Sequence, residues 1–94
     1  MRESQVEKYL VEQVALAGGI TRKIAYIGRR GCPDRLVGFR NGRTALVELK
    51  RPLGAARAEQ EREHVRLRAV GFTVVVLDTV EAVDAWVSGM LAGG

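Results

Sequence analysis

The chain has 94 residues, 47% of them hydrophobic and 28% charged, with a formal net charge of +4. That length suits one domain over residues 1–94, and the hydrophobic fraction excludes a disordered chain. One cysteine, Cys32, and one histidine, His64, exclude an internal disulfide and a Cys/His zinc site within one chain, and point to a reducing cytoplasm.

The N-terminal segment carries Arg2, Glu3 and Glu7 and no long apolar stretch, so it does not read as a signal peptide. Val6, Leu10, Val14 and Ala17 recur at helical spacing, which predicts a helix over residues 4–17, ended by Gly18-Gly19. Residues 20–27 read as a strand and 28–33 as a basic loop with two glycines. Residues 34–39 and 43–50 form a hairpin around Asn41-Gly42. After a loop over 51–54, a second helix is predicted over 55–70, closed by Gly71. Residues 72–77 form a Val-rich run, expected as a strand buried on both faces and far too short to cross a bilayer. Asp78, with Glu81 three residues on, is expected to cap a last helix whose core face is Val80, Val83, Val87 and Met90 or Leu91. The order is αβββαβα, an α/β fold with a mixed sheet flanked by helices.

Charge is unevenly spread. From Arg22 to Arg57 inclusive there are ten Lys or Arg residues and two acids, Asp34 and Glu48; beyond Gly71 there is no Lys or Arg. A basic middle suits a polyanion, while a generic basic surface is the duller account. Two acids spared only there read as ligands for a cation.

The turn decides whether those acids meet. A two-residue Asn41-Gly42 turn pairs Arg40 with Arg43 and sends Asp34 and Glu48 to opposite faces. A three-residue loop, with Gly42 left-handed, pairs Phe39 with Arg43 and sets Asp34 opposite Glu48, Cβ atoms roughly 5 Å apart. Lys50 then shares their face. Arg40 beside Arg43 is electrostatically poor, so the three-residue loop is expected.

Two such carboxylates repel unless a cation lies between them. Mg²⁺ prefers oxygen and keeps several waters, so Asp34, Glu48 and the backbone carbonyl of Leu49 suffice as protein ligands. Such an ion polarises a phosphate and acidifies an attacking water, and Lys50 positions that water or steadies the phosphate charge. Pro-Asp alone or Glu-x-Lys alone is structural by roughly ten to one; together, at this spacing and in an acid-poor stretch, they favour a site. Ser4-x-x-Glu7 is a capping box as readily as Glu7 is a site residue, and the residues alone leave both open.

Glu7, Arg30-Gly31-Cys32-Pro33-Asp34, Glu48-Leu49-Lys50 and Gln60 together resemble the VRR-NUC domain of the PD-(D/E)XK nuclease superfamily, over nearly the whole chain. The resemblance implies a restriction-endonuclease-like αβββαβ core, here with an extra C-terminal helix, and Mg²⁺- or Mn²⁺-dependent phosphodiester hydrolysis. It implies that Asp34 and Glu48 bind metal, that Lys50 serves catalysis, and that Glu7 (also as a metal ligand) and Gln60 complete the site from the flanking helices. Small stand-alone members, of phage or bacterial origin, resemble Holliday junction resolvases acting as homodimers. The expectation is therefore a cytoplasmic homodimeric endonuclease acting on branched DNA. A flap or nicking nuclease and an inactive DNA-binding module are the alternatives.

Lys23, Arg29, Arg30, Arg35, Arg51 and Arg57 are the candidate DNA contacts, with Arg29 and Arg30 as a phosphate clamp between two glycines. His64, one turn after Gln60, is expected to be a half-buried packing residue. Cys32 is taken as incidental, and Tyr26 and Trp86 as core or interface residues.

Overall fold

The structure, a computed structural model, describes residues 2–50 and 58–92. Its elements are α1 (Glu3–Leu16), β1 (Ile20–Lys23), β2 (Arg35–Gly38), β3 (Thr44–Leu49), α2 (Ala58–Ala69), β4 (Val74–Leu77) and α3 (Val80–Leu91), the predicted order. The expected loop over 51–54, the first residues of the expected second helix, and Arg51 and Arg57 lie outside the described residues.

The sheet runs β1-β2-β3-β4, antiparallel across the first two pairs and parallel between β3 and β4. A parallel pair needs a long crossover, and α2 occupies it. Strand alternation then separates two faces. Val37, Phe39, Ala45, Val47, Leu49 and Leu77 point to one face, where Val6, Leu10 and Val14 of α1 and Val83 and Val87 of α3 close the core. Burying each large aliphatic side chain there contributes about 1.5–3 kcal/mol. Phe39 and Trp86 add a tilted ring contact at 5.8 Å between centroids.

The hairpin takes the three-residue loop. The Phe39 amide donates to the Arg43 carbonyl at 2.9 Å, the Gly42 amide donates to the Phe39 carbonyl, and Gly42 sits at φ 89°. That left-handed position favours glycine, and it sets Arg35 against Val47 and Leu36 against Leu46. Glycines also end two helices with paired bonds: Gly18 and Gly19 donate to Ala15 and Val14, and Gly71 and Phe72 donate to Arg68 and Leu67.

Several expectations need correction. The first strand pairs only over Ile20–Lys23; a last bond joins the Ile24 amide to the Asp34 carbonyl at 3.3 Å before the chain leaves the sheet. The cap of α3 is Thr79, whose hydroxyl accepts from the Ala82 amide at 3.0 Å, so Asp78 lies one residue too early. At α1 the two readings left open for Glu7 are narrowed: the Arg2 amide donates to the Gln5 side chain at 2.7 Å, so the capping box is formed by Arg2 and Gln5 and not by Ser4 and Glu7. The last strand is not buried on both faces: Val76 is 43% exposed and Phe72, before the strand, 54%. β4 ends the sheet, and α2 covers its second face only in part.

Candidate active site

The second face of the hairpin carries the charged residues. Glu48 lies between Val47 and Leu49, so alternation turns its side chain away from the aliphatic core and under α2. There it is 1% exposed. Asp34, just before β2, is tied in by its backbone, whose amide donates to the Val47 carbonyl at 3.0 Å. Its carboxylate accepts from the Leu49 amide at 2.8 Å. The carboxyls of Asp34 and Glu48 lie against each other, and together with burial, the larger cause, that contact pushes Glu48 up to about 7.

Lys50 and α2 complete the cluster. Gln60 donates to Glu48 Oε2 at 2.9 Å and accepts from Lys50 Nζ at 2.9 Å, so one amide reads both charged groups. Lys50 Nζ stands 3.4 Å from Glu48 Oε2. The Lys50 amide bonds the Leu77 carbonyl of β4, which turns the neighbouring Leu49 peptide groups toward Asp34. The structure thus brings together Asp34, Glu48, the Leu49 backbone, Lys50 and Gln60.

Glu7 is placed differently. Its carboxylate accepts from Arg35 Nε at 2.8 Å, both side chains being largely buried, so Glu7 is engaged by that arginine. The other basic candidates divide likewise. Lys23 is exposed. Arg29 reaches Glu63 at 3.4 Å and Arg30 reaches Glu59 at 3.9 Å, so the loop between β1 and β2 rests on α2. Gly31 packs there so closely that a Cβ would meet Glu59 O and Glu63 Cβ at 3.0 Å. A cleft of about 390 Å³, lined by Arg30, Gly31, Glu59 and Gln60, opens beside the cluster.

Sequence reasoning missed Glu63 of α2 and gave its neighbour His64 only a packing role. Glu63 is buried and accepts from Tyr26 at 2.6 Å and Arg66 at 3.1 Å; the Tyr26 bond leads the causes that hold its carboxyl below the usual range. Tyr26 is therefore a polar tether rather than a core ring, its hydroxyl pushed up to about 12 by burial and by Glu63. His64, expected half-buried, is 3% exposed, and its Nε2 faces Glu48 Oε1 at 3.7 Å. Burial, with Arg68 and Lys50 nearby, pushes its pKa down and favours the neutral ring. The i, i+4 spacing of Gln60 and His64 was the available signal. Burial also raises the Cys32 thiol, the opposite of an activated nucleophile.

Among the described residues no group of three or more His, Cys, Asp or Glu side chains is arranged to hold a metal ion. Nor is any described helix long and apolar enough to cross a membrane.

No family model matches the sequence. The chain is 48% identical over 79 residues to "Putative nuclease p44" of Acyrthosiphon pisum secondary endosymbiont phage 1, covering 84% of this chain and 85% of that protein. A solved structure described as a VRR_NUC domain superposes with a TM-score of 0.85 at 37% identity, over 92% of this chain and 94% of the other. The chain belongs to the VRR-NUC family and has its small restriction-endonuclease-like α/β fold.

Proposed function

We propose that this chain is a metal-dependent endonuclease that hydrolyses phosphodiester bonds in DNA, acting as a homodimer on branched substrates such as four-way junctions. The observation that carries the reading is the convergence of Asp34, Glu48, Lys50 and Gln60 at one end of the β2–β3 ribbon. Kinship with a phage protein named as a nuclease supports it.

The residues fit a hard divalent cation, Mg²⁺ or Mn²⁺. Among the described residues Glu48 Oε1 is buried without a hydrogen-bond partner, and the neighbouring Asp34 carboxylate raises the energy of its charged form. An added cation relieves both. Asp34, Glu48 and the Leu49 carbonyl supply three oxygens, and such an ion keeps water in its remaining positions, so a third acidic side chain is not required. When bound, the ion supplies Lewis-acid polarisation of a phosphate and a more acidic water.

The protein's own groups do the rest. Lys50 Nζ presents positive charge toward the scissile phosphate, and Gln60 fixes its direction by accepting a hydrogen bond from it. Gln60 also holds Glu48 Oε2, so the acid and the ammonium keep a constant separation. Arg29 and Arg30, in exchange for weak pairs with Glu63 and Glu59, provide phosphate contacts beside the cleft. Lys23 extends that basic rim. Arg35 supports Asp34 through its neighbour position and its bond to Glu7, which places Glu7 in a supporting part.

A four-way junction has near two-fold symmetry and needs two matched cuts, which a two-fold dimer delivers. The test is cleavage of labelled four-way junction, flap and linear duplex with and without Mg²⁺ or Mn²⁺. Metal-dependent cutting lost in Asp34→Asn and Lys50→Ala, with DNA binding retained in Lys50→Ala, supports the enzyme. Binding without any cutting by the wild type would instead mean a DNA-binding module.

A further inference from the structure

Among the described residues Glu48 Oε1 and His64 Nε2 are both buried without a hydrogen-bond partner, and they face each other at 3.7 Å. The other oxygen of the same carboxylate is held twice, by Gln60 at 2.9 Å and by Lys50 at 3.4 Å. Glu48 is therefore gripped at Oε2, while among the described residues Oε1 has no hydrogen bond and has His64 Nε2 facing it, with the Asp34 carboxyl lying against the same acid. Gln60 and His64 are one turn apart on α2, so one helix face addresses both oxygens. If this histidine served packing alone, an apolar side chain would fill the space and leave no second orphan against the first. A hydrogen bond needs about 2.9 Å between the heavy atoms, so a closure of roughly 0.8 Å suffices. A small carboxylate rotation supplies it.

We propose that His64 is a positioning residue for the metal-binding carboxylate: its Nε2–H donates to Glu48 Oε1 and sets the rotation of the acid that Gln60 holds from the other side. A second partner of this kind orients a ligating carboxylate and is worth about 10–100-fold in metal affinity. Imidazole suits the position because Nε2 stands at the far end of a rigid ring, which reaches the acid from the helix without a flexible chain. The inference rests on the nuclease reading above, and it concerns only which residues hold Glu48.

Two measurements decide it. His64 is the only histidine in the chain, so ¹⁵N spectra of untagged, metal-free protein report its ring nitrogens without ambiguity. At a pH where the ring is neutral, a protonated Nε2 is expected; a proton on Nδ1 instead would overturn the proposal. Second, Mn²⁺ binding in the absence of DNA is compared for wild type, His64→Leu and His64→Gln. His64→Leu is expected to weaken Mn²⁺ binding about tenfold and to raise the Mn²⁺ needed for half-maximal cleavage in step, with kcat at saturating Mn²⁺ nearly unchanged. His64→Gln, which keeps a donor at similar reach, is expected to restore most of the affinity. Unchanged binding in His64→Leu, or equal losses in both variants, would overturn this inference while wild-type binding leaves the site reading intact. Wild-type protein that neither binds Mn²⁺ nor cuts DNA would overturn both.

Discussion

The two faces of the sheet do different work with neighbouring residues of one strand. On the first, Val47 and Leu49 meet α1 and α3 and are fully buried among aliphatic side chains. On the second, Glu48 and Lys50 meet α2 through hydrogen bonds, and Glu48 is as buried as its apolar neighbours. The first face stabilises the fold. The second holds a carboxylate at a cost to stability, because burial and Asp34 both oppose its charge. A strand that alternates every residue lets stability and chemistry change independently, and substitutions on the two faces should therefore separate.

The largest effect belongs to chemistry. Asp34→Asn and Lys50→Ala should each lower the cleavage rate by on the order of 10²–10³-fold, with thermal midpoints close to wild type. Comparable losses of stability in these variants would break the division. The opposite face gives the opposite outcome: Leu10→Ala or Val47→Ala should cost about 2–4 kcal/mol by denaturant unfolding, while kcat of the folded fraction stays near wild type.

A pH series sharpens the same contrast. In metal-free protein burial, and after it the Asp34 carboxylate, push Glu48 up to about 7, above its unfolded value, so its contribution to stability is complete at low pH and is lost as pH rises toward 7. Relative to wild type, Glu48→Gln should therefore gain stability between about pH 5 and 7, by on the order of 2–3 kcal/mol. A constant difference across that range would mean that the acid is not strained in the fold. Weaker still, Thr79→Ala should cost about 1 kcal/mol by removing the α3 cap, without touching activity. Arg30→Ala should weaken DNA binding modestly and flatten its salt dependence by about one ion, stability being unchanged.

The legible parts of the molecule were those governed by local rules. Apolar spacing located α1 and its core residues Val6, Leu10 and Val14. Poor pairing of Arg40 with Arg43, together with a glycine suited to a left-handed turn, pointed to the hairpin register and so to the meeting of Asp34 with Glu48. What escaped depends on packing between distant segments. The rotation of α2 about its axis decides that Glu63 and His64, rather than their neighbours, turn inward. The end of β1 depends on Tyr26 finding Glu63, 37 positions away. Glu7 could cap, ligate or pair, and Arg35 settled the choice through a contact 28 positions distant. The exposure of Val76 follows from β4 lying at the end of the sheet, which no pattern within its own four residues reveals.

The central claim is that Asp34 and Glu48 hold one divalent cation against Lys50 for phosphodiester cleavage. It is tested most directly by titrating Mn²⁺ into wild-type and Glu48→Gln protein and reading binding and four-way junction cleavage on the same samples. Saturable binding and cutting in the wild type, both lost in a folded Glu48→Gln protein, is the predicted result. Cutting that persists in Glu48→Gln, or Mn²⁺ that binds both proteins alike, would contradict it.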